Sequence, residues 1–262
     1  MIINLNGKNA LVGGSSRGIG LGIARQLAKS GASVTVMARR EEKLRSIVAS
    51  LHKSTPEQEH QYLAVDFNNY EQYKGIMEEY FATNTVDILI NNTQGPLAGS
   101  ATEKEVGDYQ NAFDTMFKTV VFTTQLALTH MKARSWGRII NVASVSVKEP
   151  LSYLVLSNTI RSAVVAWAKS LATEVGPHQI TVNNILTGYF DTERLNELNQ
   201  KKAEQQQIEP SEVRNFMTSN VPLKRLGKPE EYGYLATFLA SDQAAYITGI
   251  NIPIDGGLLK SL

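Results

Sequence analysis

Seven short apolar runs, rich in β-branched residues, alternate with longer stretches of helical period along the 262 residues of this chain. They are "NALVG" (9–13), "SVTVMA" (33–38), "YLAVD" (62–66), "VDILIN" (86–91), "GRIINVAS" (137–144), "ITVNNI" (180–185) and "GINIPID" (249–255). Strands separated by helices must cross over before pairing, so the pattern predicts a parallel sheet with helices on both faces. The runs are apolar almost throughout, as a sheet buried on both sides requires. No repeat or low-complexity linker divides the chain, which predicts one α/β domain over residues 1–262.

The segment "ALVGGSSRGIGLGIA" follows the first run and opens the first helical stretch. Glycines at 14, 18 and 20 permit a tight turn, let backbone approach a pyrophosphate, and leave the helix N-terminus free to bind it. Such a loop is informative only at the start of a strand–helix–strand unit, which is its place here. The expected architecture is a doubly wound Rossmann domain with about seven strands. "GSSRG" (14–18) also matches the nucleophile elbow of serine hydrolases. That chemistry needs an acid and then a histidine later in the chain, and His52, His60, His130 and His178 occupy no recognisable late catalytic loop. The second run ends "VMARREEKL", without the carboxylate that grips the ribose of NAD. Arg39 and Arg40 stand there, and with Arg17 they offer bidentate donors to a 2′-phosphate. NADP(H) is therefore expected over NAD(H).

The formal net charge is +1, so no global field draws in nucleic acid or an anionic membrane. There is no cysteine, which removes disulfides, thiolate nucleophiles and cysteine metal sites together, and no metal site is expected. No run approaches the ~18 to 20 apolar residues needed to span a bilayer, and the N-terminal "MIINLNGKNALVGG" has no signal-peptide pattern. A cytoplasmic protein acting on a small molecule is the expectation. Residues 191–220, polar and Gln-rich, emerge where ligands sit in open α/β sheets, and are expected to form a helical lid over a substrate cleft.

Several long stretches resemble the short-chain dehydrogenase/reductase family, in the branch that includes 3-oxoacyl-carrier-protein reductases. They are "GGSSRGIG", "VDFNN", "DILINN", "GRIINVASVS", "ITVNNILTG", "LKRLGKPEEYGYLATFLASD" and "YITGINIPIDGG". The resemblance implies cofactor contacts from Gly14, Ser16, Arg17, Gly18, Ile19 and Gly20, from Asp66 and Phe67, and from Asn91, Asn92 and Thr93. It implies further contacts from Arg161, Gly188 and Thr192. It also implies a homo-oligomer, tetramer or dimer. The family's "NNAG" here reads "NNTQ" (91–94), so Thr93 and Gln94 put bulk where ribose and nicotinamide pass.

Members of the family reduce a carbonyl with a tyrosine acid, a lysine that lowers its pKa, a serine that holds the substrate oxygen and an asparagine behind a water relay. Ser144 matches the serine. Counting forward from Ser144, or back from Ser170–Ala172, places Ser157 at the tyrosine and Arg161 at the lysine, while Met116 falls at the asparagine. Serine is a far weaker acid than a phenol of pKa ~10, and arginine stays protonated. Tyr153, Ser157 and Arg161 are spaced i, i+4, i+8, so a helix starting early would set Tyr153 one turn from the site as a replacement acid. Two readings remain open: an NADP(H)-dependent oxidoreductase with a rebuilt acid site, and an NADP(H)-binding scaffold, sensor or regulator that turns over weakly or not at all.

Overall fold

The computed structural model describes residues 2–261, apart from the side chains of Lys201 and Gln205. Seven strands form one sheet: β1 (Asn9–Val12), β2 (Ser33–Ala38), β3 (Gln61–Ala64), β4 (Ile88–Asn91), β5 (Gly137–Val142), β6 (Ile180–Thr187) and β7 (Asn251–Ile254). All six pairings are parallel, in the order β3-β2-β1-β4-β5-β6-β7. This is the doubly wound sheet that the alternation of runs predicts, with each run within a few residues of its strand.

Successive strand residues face opposite ways and feed two cores. On one face Ala10, Val12, Ile88, Ile90 and Ile140 pack against α1 (Gly18–Lys29), α2 (Glu41–Ser50) and α9 (Pro229–Leu239). On the other, Leu11, Leu89 and Ile139 pack against α3 (Tyr70–Thr83), α5 (Thr119–Arg134) and α6 (Val155–Val175). The α1–α9 contact is close: a Cβ on Gly22 would lie 2.4 Å from the Pro229 carbonyl oxygen. Strand order reverses between β1 and β4, and in such sheets ligands bind outside the carboxyl ends of the strands at that point. There the Asn92 amide donates to the Gly13 carbonyl (3.0 Å) and the Gly14 carbonyl (3.3 Å), tying the loop after β4 to the loop after β1.

Buried amides cross the sheet beyond that point. Asn91 donates to Asn141, Asn141 to Asn184 and Asn184 to Asn251, each at 2.8 Å, from residues directly paired in β4, β5, β6 and β7. The Asn91 amide also donates to Thr124 of α5 (3.1 Å). Asn141 and Asn184 are almost fully buried, so an amide left without its partner there loses its hydration with no return. The ladder therefore favours one register, since a slip of one residue turns every amide to the other face. Replacing Asn141 by Leu leaves the Asn184 carbonyl oxygen without its donor, and a loss of about 1–3 kcal/mol is expected. Urea denaturation checks it, as a lower midpoint at unchanged slope.

Candidate functional site

The loop between β1 and α1 is built to keep its backbone open. The Ser15 hydroxyl donates to the Val12 carbonyl and accepts from the Met37 amide, both at 2.8 Å, which fixes the loop against β2. Gly14 and Gly18 sit in the left-handed region, at φ of +52° and +55°, where side chains are strained. A Cβ on Gly20 would lie 2.4 Å from the Gly14 carbonyl oxygen. No side chain caps α1, so its first amides remain available to a phosphate. This cradle lies at the switch point and fits the pyrophosphate of a nicotinamide dinucleotide, and Arg39 and Arg40 are exposed beyond β2.

Three arginines are expected at that phosphate, and the structure divides them. Arg39 and Arg40 make no ion pair among the described residues. Arg17 is already engaged: its Nη1 lies 2.9 Å from Glu193 and 2.6 Å from Glu197, which stand one turn apart on α7 (Glu193–Gln206). The guanidinium holds both carboxyls below the usual range, and they in turn raise its own pKa. Thr192 caps α7 by accepting from the Leu195 amide (3.2 Å), and a Cβ on Gly18 would lie 3.2 Å from its methyl group. The start of α7 thus rests on the glycine loop.

The remaining expected cofactor residues differ in what they present. Ser16 is half-buried in the loop, and Ile19 is half-buried against the first core. Asp66 accepts from the Asn68 backbone and side chain at 3.0 and 2.8 Å. Phe67 is buried against Tyr73, ring centres 5.4 Å apart, so its side chain belongs to the core. The Asn91 amide is spent in the ladder. Gly188 packs on Asp255, where a Cβ would meet its Cα at 2.6 Å.

Ser144 follows β5 and accepts from the Ser146 amide (3.1 Å), capping a short 3₁₀ turn. Helix α6 carries Ser157 and Arg161 one turn apart, and the Arg161 Nε donates to the Ser157 hydroxyl oxygen (3.2 Å). The same guanidinium donates to the Val142 carbonyl at the end of β5. No carboxylate forms an ion pair with Arg161 among the described residues, and burial lowers its pKa. It closes a small cavity with Asn91, Thr93, Asn141, Ala143 and Met116. Met116 lies in a π-helical turn, Asp114–Lys118, between α4 (Val106–Phe113) and α5. The extra residue in such a turn re-aims side chains, and here an apolar one, 2% exposed, faces Arg161.

The early helix start proposed for Tyr153 is not found. Helix α6 begins at Val155, so Tyr153 sits in the preceding turn and shares no helical face with Ser157 and Arg161. Nor does Arg161 depress its pKa. Desolvation, followed by the neighbouring Tyr189 phenol and a hydrogen bond with it, pushes Tyr153 up to about 12. The Lys202 Nζ stands 5.5 Å from the Tyr153 ring and 5.7 Å from the Phe216 ring of α8 (Pro210–Asn220). Sequence reasoning missed Tyr189, Lys202, Glu193 and Glu197. The two glutamates are visible as an i, i+4 acidic pair at a helix start, but nothing local names their partner 176 residues away. Among the described residues no three His, Cys, Asp or Glu side chains converge as a metal site would require, and no helix is long and apolar enough to cross a membrane.

Residues 14–259 match the enoyl-(acyl carrier protein) reductase family. The NADPH-dependent reductase BacG of Bacillus subtilis is 30% identical over 256 residues, covering 97% of this chain and 99% of its own. A 3-oxoacyl-[acyl-carrier-protein] reductase, FabG of Chlamydia pneumoniae, is 32% identical over 261 residues, covering 98% and 99%. The crystal structure of L-sorbose reductase from Gluconobacter frateurii, complexed with NADPH and L-sorbose, matches over 100% of both chains with a TM-score of 0.92 and 30% identity. The glycine loop at the switch point, the parallel sheet and these full-length matches agree: the chain belongs to the short-chain dehydrogenase/reductase family and resembles its 3-oxoacyl-acyl-carrier-protein reductases.

Proposed function

We propose that the chain is an NADP(H)-dependent oxidoreductase interconverting a carbonyl and an alcohol on a small molecule, with Ser157 and Arg161 in place of the family's tyrosine and lysine. The observation that carries this reading is the Arg161–Ser157 hydrogen bond, which sets a permanent cation against a hydroxyl at the carboxyl end of β5. A nicotinamide dinucleotide supplies the hydride when bound in the glycine cradle. Because Arg161 donates into the Ser157 oxygen, the serine proton is free to point away from it, towards a substrate oxygen. Ser144 supplies a second hydroxyl, and its oxygen is oriented by the Ser146 amide. The guanidinium favours negative charge developing on the substrate oxygen, which lowers the demand for a strong acid. Its donor fork also reaches hydroxyls nearby without passing on a proton.

NADP(H) is preferred to NAD(H) in this reading because Arg39 and Arg40 are unpaired and no carboxylate ends β2. Helices α7 and α8 serve as the lid, pinned at one end by Arg17 and held near the loop after β4 by Arg194, which donates to the Pro96 carbonyl (3.3 Å). The second reading, nucleotide binding without turnover, is favoured by one observation: among the described residues no tyrosine hydroxyl hydrogen-bonds Ser157, and the Tyr153 hydroxyl is engaged with Tyr189. Screening carbonyl compounds by NADPH absorbance separates the two. NADPH binding with no turnover of any carbonyl overturns the reductase reading.

For an active substrate, Ser157→Ala is expected to lower kcat by ~10² to 10⁴, the range for a positioned proton donor. The profile of kcat is expected to stay level between about pH 6 and 9, since serine and arginine do not titrate there. Tyr153, raised to about 12, keeps its proton across the same window and loses it only as pH nears that value. A limb titrating near neutrality, measured by steady-state rates, would assign the proton to another group. In fluorescence titrations, Arg39→Ala is expected to weaken NADPH by roughly 10- to 150-fold, the loss of one charge-assisted contact, and NADH by no more than about twofold. A Glu193→Gln, Glu197→Gln double variant releases Arg17 from exposed ion pairs together worth about 1 kcal/mol, so NADPH binding should tighten about fivefold.

A further inference from the structure

We propose that Glu193 and Glu197 of α7 form an autoinhibitory latch on Arg17, holding it in place of the cofactor's 2′-phosphate, so that NADP(H) releases the start of α7 and NAD(H) does not. The inference rests on the NADP(H) reading above and names a regulation of that same site. Both glutamates take one nitrogen of Arg17, its Nη1, at 2.9 and 2.6 Å. They reach it from positions i and i+4, across the first turn of α7. Two carboxylates together carry about the charge of a phosphate monoester at neutral pH.

The contact sits on the cofactor side of α7. Arg17 is the residue at which α1 begins, directly before Gly18, and Gly18 lies against the methyl group of the α7 cap, Thr192. Glu193 also feels a third element. The Arg17 hydrogen bond chiefly, and then the charge of Lys43, hold its carboxyl below the usual range. Lys43 stands in the first turn of α2, three residues beyond Arg40. The latch therefore lies between the glycine loop and the segment after β2, where Arg39 and Arg40 are exposed.

The same geometry makes the latch reversible. The side chains of Arg17, Glu193 and Glu197 are 36%, 60% and 46% exposed, so a ligand from solution reaches them and breaks pairs that are individually weak. Like charges at i and i+4 repel on a helix unless a cation lies between them, and Glu197 does push the Glu193 carboxyl upward, against Arg17. When Arg17 exchanges the glutamates for a 2′-phosphate, the first turn of α7 keeps that repulsion and loses its cation. Glu197 then retains Arg194, 3.7 Å away on the same helix. Coupling of this kind is reciprocal: a contact that weakens a ligand is loosened by that ligand to the same degree. The ribose hydroxyl of NAD(H) carries no charge to take Arg17 from the glutamates, so it leaves α7 latched.

The test compares adenosine 2′,5′-bisphosphate with 5′-AMP, which differ only in the 2′-phosphate, on the full chain. Amide hydrogen exchange is followed by mass spectrometry over residues 193–206, and affinity by fluorescence titration. Saturating bisphosphate is expected to speed exchange in α7 about fivefold, the scale of exposed ion pairs, while 5′-AMP leaves it unchanged. The Glu193→Gln, Glu197→Gln variant should show the faster exchange without ligand and respond no further to the bisphosphate. A bisphosphate that binds more tightly than 5′-AMP yet leaves α7 exchange unchanged, or slows it, overturns the latch alone. So does a double variant that still responds to the bisphosphate as the wild type does. Equal binding of the two nucleotides overturns the NADP(H) reading, and the latch with it.

Discussion

Four asparagine amides, bonded in sequence across β4, β5, β6 and β7, hold the register on which the site depends. A parallel sheet of apolar strands has little else to choose one alignment over its neighbours, because Val, Ile and Leu pack almost equally well one step along. The amides do choose, since Asn91, Asn141 and Asn184 are buried and each donates to the paired asparagine on the next strand. That choice brings the ends of β4 and β5 level, with Asn91 and Asn141 flooring the cavity that Arg161 closes. It also means that Asn91, a residue whose position suggests the cofactor, gives its side chain to the scaffold.

The charge arrangement follows a simple division. Exposed acids and bases near the glycine loop satisfy one another, as in Arg17 with Glu193 and Glu197. The buried guanidinium of Arg161 is left with neutral acceptors. Burying a charge without a counter-charge opposes folding by several kcal/mol in general, and structures retain such groups where an anion is to be stabilised. The π-helical turn that presents Met116 belongs to the same setting. It puts an apolar wall where a polar group would draw in water, and water would screen the field of Arg161.

Much of the fold was legible because it rests on local signals. The β-branched runs became strands, and the glycine spacing became a loop with two left-handed residues. The pairing of Ser157 with Arg161 on α6 was legible too, because a helix keeps i and i+4 together. Tyr153 was misplaced by a two-residue question, where the helix begins, and helix starts depend on caps and turns that the local pattern leaves loose. Its raised pKa and its link to Tyr189 arise from contacts between distant segments. Lys202 lies in a polar helix whose sequence looks merely solvated, and only the packing of α7 against Tyr153 and Phe216 sets its ammonium apart.

The contact between Arg17 and the two glutamates of α7 has a bearing on the medium as well as on the cofactor. Ion pairs at a surface fade as dissolved salt shortens the reach of charge, to about 8 Å at physiological ionic strength and about 3 Å at 1 M. The hydrophobic packing that holds the two cores has no such dependence. Raising salt therefore loosens the start of α7 from the glycine loop while the sheet beneath stays as it was, so the surrounding electrolyte tunes how firmly that helix is anchored.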